Sequence, residues 1–167
     1  MLYPQQKMIL MQPIIYIFTN DLRLSDNPGF YQACQSGYPV LPCFILENKT
    51  PELWALGGAS RWWLHHSLAA LQESIRELNG CLLLLSGNWQ EIAHVLAKET
   101  NAHAIYWSAQ YEPYARKQTK KLAELAKENE IDVQVFNSYL LFHPDQIKTK
   151  TDQFQNLWVS RSNLWIS

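Results

Sequence analysis

Short, nearly continuous apolar runs alternate along this chain with longer stretches in which apolar positions recur every three or four residues. The runs lie at 13–18, 39–46, 81–85, 103–107 and 131–136. Unbroken apolar character suits strands covered on both faces, as in a parallel sheet. The intervening segments are long enough for right-handed crossover helices. The alternation predicts an α/β fold, a three-layer α/β/α domain built on a doubly wound, Rossmann-like five-stranded parallel sheet. The strand order expected is 3-2-1-4-5.

The helical stretches carry their own start and stop signals. The first opens where Asn27 can cap and Pro28 supplies a pre-set φ, and it runs to about Gly37. The second, about residues 60–78, spaces Leu64, Leu68, Leu71, Ile75 and Leu78 so that one stripe faces the sheet, and Asn79-Gly80 stops it. The third begins at Asn88 with Glu91 three residues on, a capping-box-like start, and is expected to bury Ile92, Val95 and Leu96. The fourth starts at Pro113 and carries Lys117, Lys120, Lys121, Glu124 and Lys127 on a solvated face.

A sheet of that order places a site before any chemistry is considered. The chain reverses direction between the first and fourth strands, and open α/β sheets bind ligands in the crevice outside the carboxyl ends at such a point. The loops lining it are 19–24 and 108–112, with 44–47 as neighbour. Other chemistry is thin. No glycine interrupts the polar loop 19–27, which argues against a dinucleotide phosphate loop, and His65-His66 lack the i, i+4 spacing of a metal pair. Neither a metal site nor a catalytic residue is expected.

Composition narrows the class. With 167 residues the chain suffices for one compact domain. Fourteen Lys and Arg against fifteen Asp and Glu leave no basic footprint for a phosphate backbone. Cys34, Cys43 and Cys81 form no C-x-x-C pair and leave an odd one over, which argues against a disulfide framework, and a cytoplasmic location is expected. Cys43 and Cys81 lie in apolar runs, where buried reduced thiols are ordinary. No run approaches the ~18 apolar residues of a membrane span. Residues 1–12 read as an N-terminal extension, and Gln12-Pro13 break what would otherwise look like a secretory leader.

Several segments then carry a resemblance. Residues 18–28 read F-T-N-D-L-R-L-S-D-N-P, 57–68 read G-G-A-S-R-W-W-L-H-H-S-L, 104–116 read A-I-Y-W-S-A-Q-Y-E-P-Y-A-R, and 136–144 read F-N-S-Y-L-L-F-H-P. In that order and spacing they resemble the DNA photolyase/cryptochrome family, over residues 13–150. The resemblance implies the N-terminal α/β domain of a class I deoxyribodipyrimidine photolyase or a related cryptochrome, the part that holds a light-harvesting antenna chromophore. In that family the antenna passes energy to a FAD in a following helical domain, which repairs pyrimidine dimers in DNA.

The residues that the resemblance and the topology nominate as cofactor-binding are Asp21, Leu22, Arg23, Phe44, Leu46, Arg61, Ser108 and Glu112. Asp21, Arg23, Arg61 and Glu112 are expected to converge on the crevice. Glu112, matched to a family glutamate that hydrogen-bonds a pterin, also precedes Pro113 at a helix start, so a capping role is the competing reading. Read without the family, Trp62 and Trp63 are packing residues and Arg61 a surface charge. Thr19 and Asn20 replace paired basic residues of the family, and Ser108 a common Asn, which leaves folate, FMN and a deazaflavin all open as the antenna.

Residues 151–167 read as a tail foreign to the family, expected to be an out-of-frame or degenerate remnant. On that reading the FAD-binding catalytic domain is missing, FAD does not bind here, DNA is met only through that domain, and repair is not expected. The face that would meet it is then bare and favours a homo-oligomer. The alternatives are a stand-alone nucleotide- or flavin-binding module without photochemistry, and a remnant with an empty crevice.

Overall fold

The computed structural model describes residues 12–48, 55–129 and 131–140. Five parallel strands, β1 (Ile14–Phe18), β2 (Val40–Glu47), β3 (Leu83–Gly87), β4 (Ala104–Ser108) and β5 (Asp132–Phe136), form one sheet in the order β3-β2-β1-β4-β5. The expected fold class and strand order are those observed. Helices α1 (Pro28–Gln35), α2 (Gly58–Glu77), α3 (Trp89–Glu99) and α4 (Pro113–Glu128) make the crossovers. Of the expected boundaries, that at 150/151 lies outside the described residues, as do residues 1–11 of the expected N-terminal extension.

β1 is the centre of the sheet, and its side chains alternate between two cores. Ile15 and Ile17 pack with Cys43, Ile45, Ile105 and Trp107 beneath α3 and α4, where Ala93, Ala97 and Leu122 close the layer. Ile14, Tyr16 and Phe18 pack with Phe44, Ala104 and Tyr106 beneath α1 and α2, where Ala33, Leu71 and Ile75 close the other. All five residues of β1, and all five of β4, are buried, which is why those strands read as unbroken apolar runs. β5 is an edge, and none of its five residues is fully buried.

The caps form as the sequence signals. Asn27 accepts from the Phe30 N–H at 3.1 Å, and Asn88 from the Glu91 N–H at 3.1 Å. Asn79 takes a left-handed φ of 59° after α2, and the Gly80 N–H closes on the Ile75 carbonyl at 2.9 Å. At Gly29 a Cβ would stand 2.8 Å from the Phe136 ring and 3.0 Å from that of Tyr16, so only glycine lets α1 approach the sheet here.

Three expected burials are corrected. Leu78 is 67% exposed because α2 ends at Glu77 and the residue caps it, beyond the reach of the sheet. Val95 is 49% exposed because Trp89, Ala93 and Ala97 form the inner line of α3, while Ile92 and Leu96 are only partly buried. Cys81 is exposed, since β3 starts two residues later at Leu83; Cys43, in mid-strand, is buried.

Candidate functional site

The loop after β1 turns straight into a buried polar knot. Asp21 is fully buried, accepting from the Thr19 hydroxyl at 3.2 Å and from the Ser108 hydroxyl at 2.5 Å. Ser108, also buried, accepts in turn from the Ser138 hydroxyl at 2.7 Å. The Tyr16 hydroxyl donates to Asn27 at 2.7 Å and lies 3.2 Å from Ser108. Burial, and then the charge of Asp21, raises the Tyr16 hydroxyl well above the ordinary tyrosine value, so it stays a neutral donor. Arg23 donates to the carbonyls of Asp26 at 2.9 Å and Ser138 at 3.1 Å. These bonds join the ends of β1, β4 and the exit from β5.

Beside the knot, a cavity of about 1040 Å³ opens over the carboxyl ends of β1, β2 and β3 and the start of α4. Its walls are largely apolar: Phe18, Leu22, Phe44, Leu46, Leu64, Leu68, Leu84 and Trp89. Arg61 and His65 reach it from α2, Glu112, Tyr114 and Gln118 from α4. Such a size and lining fit a small organic ligand, because binding pockets of ~300–1,000 Å³ typically pair apolar walls with a few placed polar groups.

Of the residues nominated from sequence, the structure therefore brings Leu22, Phe44, Leu46, Arg61 and Glu112 to one cavity. It does not bring Asp21, Arg23 and Ser108 there. Asp21 and Ser108 spend their polar atoms on each other and on Thr19 and Ser138, and Arg23 on backbone carbonyls, so the convergence expected of Asp21 and Arg23 is corrected. The cavity is accordingly displaced from the β1–β4 crevice toward β2 and β3.

Glu112 stands at the N-cap of α4, but its side chain makes no cap hydrogen bond, so the capping reading fails. Neither its carboxylate nor the Arg61 guanidinium has an ion-pair partner among the described residues. Glu47, in contrast, accepts from the Trp89 N–H at 3.0 Å and fixes the start of α3 against β2. Trp89, His65, Tyr114 and Gln118 were not nominated from the sequence. Trp89 comes two residues after the end of β3, a usable signal; Tyr114 and Gln118 sit one turn apart on α4, Tyr114 inside the 104–116 segment and Gln118 beyond it. Gln118 donates through Nε2 to the Tyr114 hydroxyl at 2.8 Å, while its Oε1 is shielded from solvent and unpaired.

Comparison with known proteins follows the same outline. A family model described as DNA photolyase matches residues 14–160. The chain is 39% identical over 139 residues to a deoxyribodipyrimidine photo-lyase of Agrobacterium fabrum, an alignment over 83% of this chain and 28% of that protein. It is 31% identical over 147 residues to Cryptochrome-1 of Arabidopsis thaliana, covering 84% and 21% of the two. The chain thus spans about a quarter of the length of these relatives. Among solved structures, a bacterial class III photolyase from Agrobacterium tumefaciens superposes with a TM-score of 0.81 at 33% identity, covering 99% of this chain and 34% of that one. An archaeal photolyase from Sulfolobus tokodaii with two FAD molecules gives 0.71 at 26% identity, covering 79% and 32%. The β3-β2-β1-β4-β5 sheet is that of the N-terminal α/β domain of these proteins, and with the family match running over nearly all of its length, this chain belongs to the DNA photolyase family.

Proposed function

We propose that this domain is a light-harvesting module that holds an antenna chromophore of the folate or flavin type in the cavity at the carboxyl edge of the sheet. The observation that carries the reading is the pairing of Arg61 and Glu112, both without ion-pair partners among the described residues, on the walls of one apolar cavity. An apolar slot accepts a flat ring system. A carboxylate accepts from ring N–H and amino groups, and a guanidinium donates to a carboxylate or phosphate tail. The chromophore, when bound, absorbs near-ultraviolet or blue light and passes the excitation on. Leu22, Phe44, Leu46 and Trp89 would exclude water from its faces, while Glu112 and Arg61 would fix its ends.

The two FAD molecules of the Sulfolobus tokodaii photolyase, for which a novel light-harvesting cofactor is implied, support a flavin as one candidate beside folate and a deazaflavin. For the class of photolyase, the 0.81 superposition on a class III enzyme favours that class over the class I expected from the motifs. Light-driven repair, FAD and DNA belong, on this reading, to the parts of the relatives that this chain does not span. The unpaired cysteines fit a reducing, cytoplasmic setting. No helix among the described residues is long and apolar enough to cross a membrane.

The absorption spectrum of the protein purified from its native host tests the proposal. A band in the near ultraviolet or blue that leaves with a releasable small molecule is the expected result. A protein spectrum alone, unchanged after adding folate, FMN or a deazaflavin, would remove it.

A further inference from the structure

We propose that Gln118 is a specificity-determining residue of the cavity, whose carboxamide oxygen accepts from the ring N–H of the bound chromophore; this rests on the antenna reading above. The buried acceptor Oε1 of Gln118 has no hydrogen-bond partner, although the residue lines a cavity. Leaving a buried polar atom unpaired is costly, and a residue with no other task at that position would be expected to be apolar. Its Nε2 is occupied, donating to the Tyr114 hydroxyl at 2.8 Å, so Tyr114 sets the plane of the carboxamide and leaves the oxygen as the free end. Both residues lie on the flank of α4 that lines the cavity, downstream of Glu112.

The ligand chemistry follows from that acceptor pair. Gln118 Oε1 and the Glu112 carboxylate supply acceptors along one wall, beside the Tyr114 hydroxyl, while Arg61 on α2 offers donors only. A ring system satisfies such a wall if its edge carries N–H groups, and its acceptors or anionic tail then turn toward Arg61. Pterins and isoalloxazines share a cyclic amide N–H, and a pterin adds an amino group beside it. Oε1 is itself shielded from solvent, so a ligand N–H meets it through a turn about the broad terminal torsion of the glutamine, with the Tyr114 bond released.

The test is equilibrium titration of the 167-residue chain with 5,10-methenyltetrahydrofolate and, separately, with FMN, following the absorption band of the bound chromophore. Gln118→Leu should weaken binding about fivefold, the loss expected for one neutral hydrogen bond. It should also move the bound band relative to wild type, which a merely structural role would not do. Gln118→Glu keeps an acceptor and should bind within about twofold of wild type, and Tyr114→Phe should fall between the two. Wild-type binding with the same affinity and the same band in Gln118→Leu would overturn this inference and leave the antenna reading standing. No saturable binding of either compound by wild type would overturn both. Stronger loss in Gln118→Glu than in Gln118→Leu would also overturn it, since the residue would then face an acceptor.

Discussion

Ser108, at the end of β4, donates its hydroxyl across 2.5 Å to Asp21, in the loop that follows β1. The two are 87 positions apart and both fully buried, so this bond fixes the first loop to the centre of the sheet. Thr19 and Leu22 on either side of Asp21 line the cavity, and the knot thereby holds one cavity wall in place. Asp21 acts on the fold and only through the fold on a ligand.

Replacing Asp21 with Ala should therefore destabilise the domain by about 2–3 kcal/mol, the cost of stranding buried hydroxyls that had a charged acceptor. Urea unfolding followed by circular dichroism measures it. Unaltered stability would show that the knot is not a stabilising feature.

Replacing Glu112 with Ala should have the opposite profile. Stability should change by under about 1 kcal/mol, because the carboxylate makes no cap bond and interacts with α4 only through the helix dipole. Chromophore affinity should fall by about 1–3 kcal/mol, the usual loss when a charged hydrogen-bond partner is deleted. Folate, FMN and deazaflavin titrations of both proteins decide it, and equal affinities would count against the role.

Alkaline pH should weaken the fold through Cys43. Burial pushes its thiol from an ordinary 9.0 up to about 12, so the folded state keeps a proton that the unfolded chain gives up. This contribution is whole below the unfolded value and is lost as pH rises from 9.0 toward about 12. Melting temperature should hold through neutral pH and decline above it, and Cys43→Val should flatten the first part of the decline. A wild-type profile that stays level across the same range would contradict the assignment.

Trp62 and Trp63 on α2 are 57% and 66% exposed and meet edge to face at 5.3 Å. Bare aromatic surface of this kind promotes association. Sedimentation velocity of the 167-residue chain should show a dimer or larger species, shifted toward monomer by the double substitution Trp62→Ser and Trp63→Ser. A monomer at all concentrations in the unsubstituted chain would remove the self-association proposal.

The fold was legible because it rests on local patterns. Strands buried on both faces leave unbroken apolar runs, as Ile14–Phe18 does, and Asn27 and Asn88 bond backbone N–H groups three residues away. Where periodicity misled, it was at the margins: a helical stripe continues to Leu78 on paper, but α2 ends at Glu77. The site was legible only in part. Arg61, Glu112, Leu22, Phe44 and Leu46 flank strand ends or a helix start and reached the cavity. Asp21, Arg23 and Ser108 have the same local character, yet partners distant in the chain consume their polar atoms, and no pattern in a single sequence displays such pairings. Gln118 was hidden for the converse reason, since a polar residue inside an otherwise solvated helix looks like surface.

The central claim is that the cavity between Arg61 and Glu112 binds a chromophore, and a single paired titration tests it most directly. Wild-type chain and the double variant Arg61→Met, Glu112→Gln would be titrated with folate and flavin compounds while near-ultraviolet and blue absorption is recorded. The account predicts saturable one-to-one binding by wild type and at least a tenfold weaker interaction in the variant, about 1.4 kcal/mol or more. Binding that is absent in wild type, or equal in the two proteins, would contradict it.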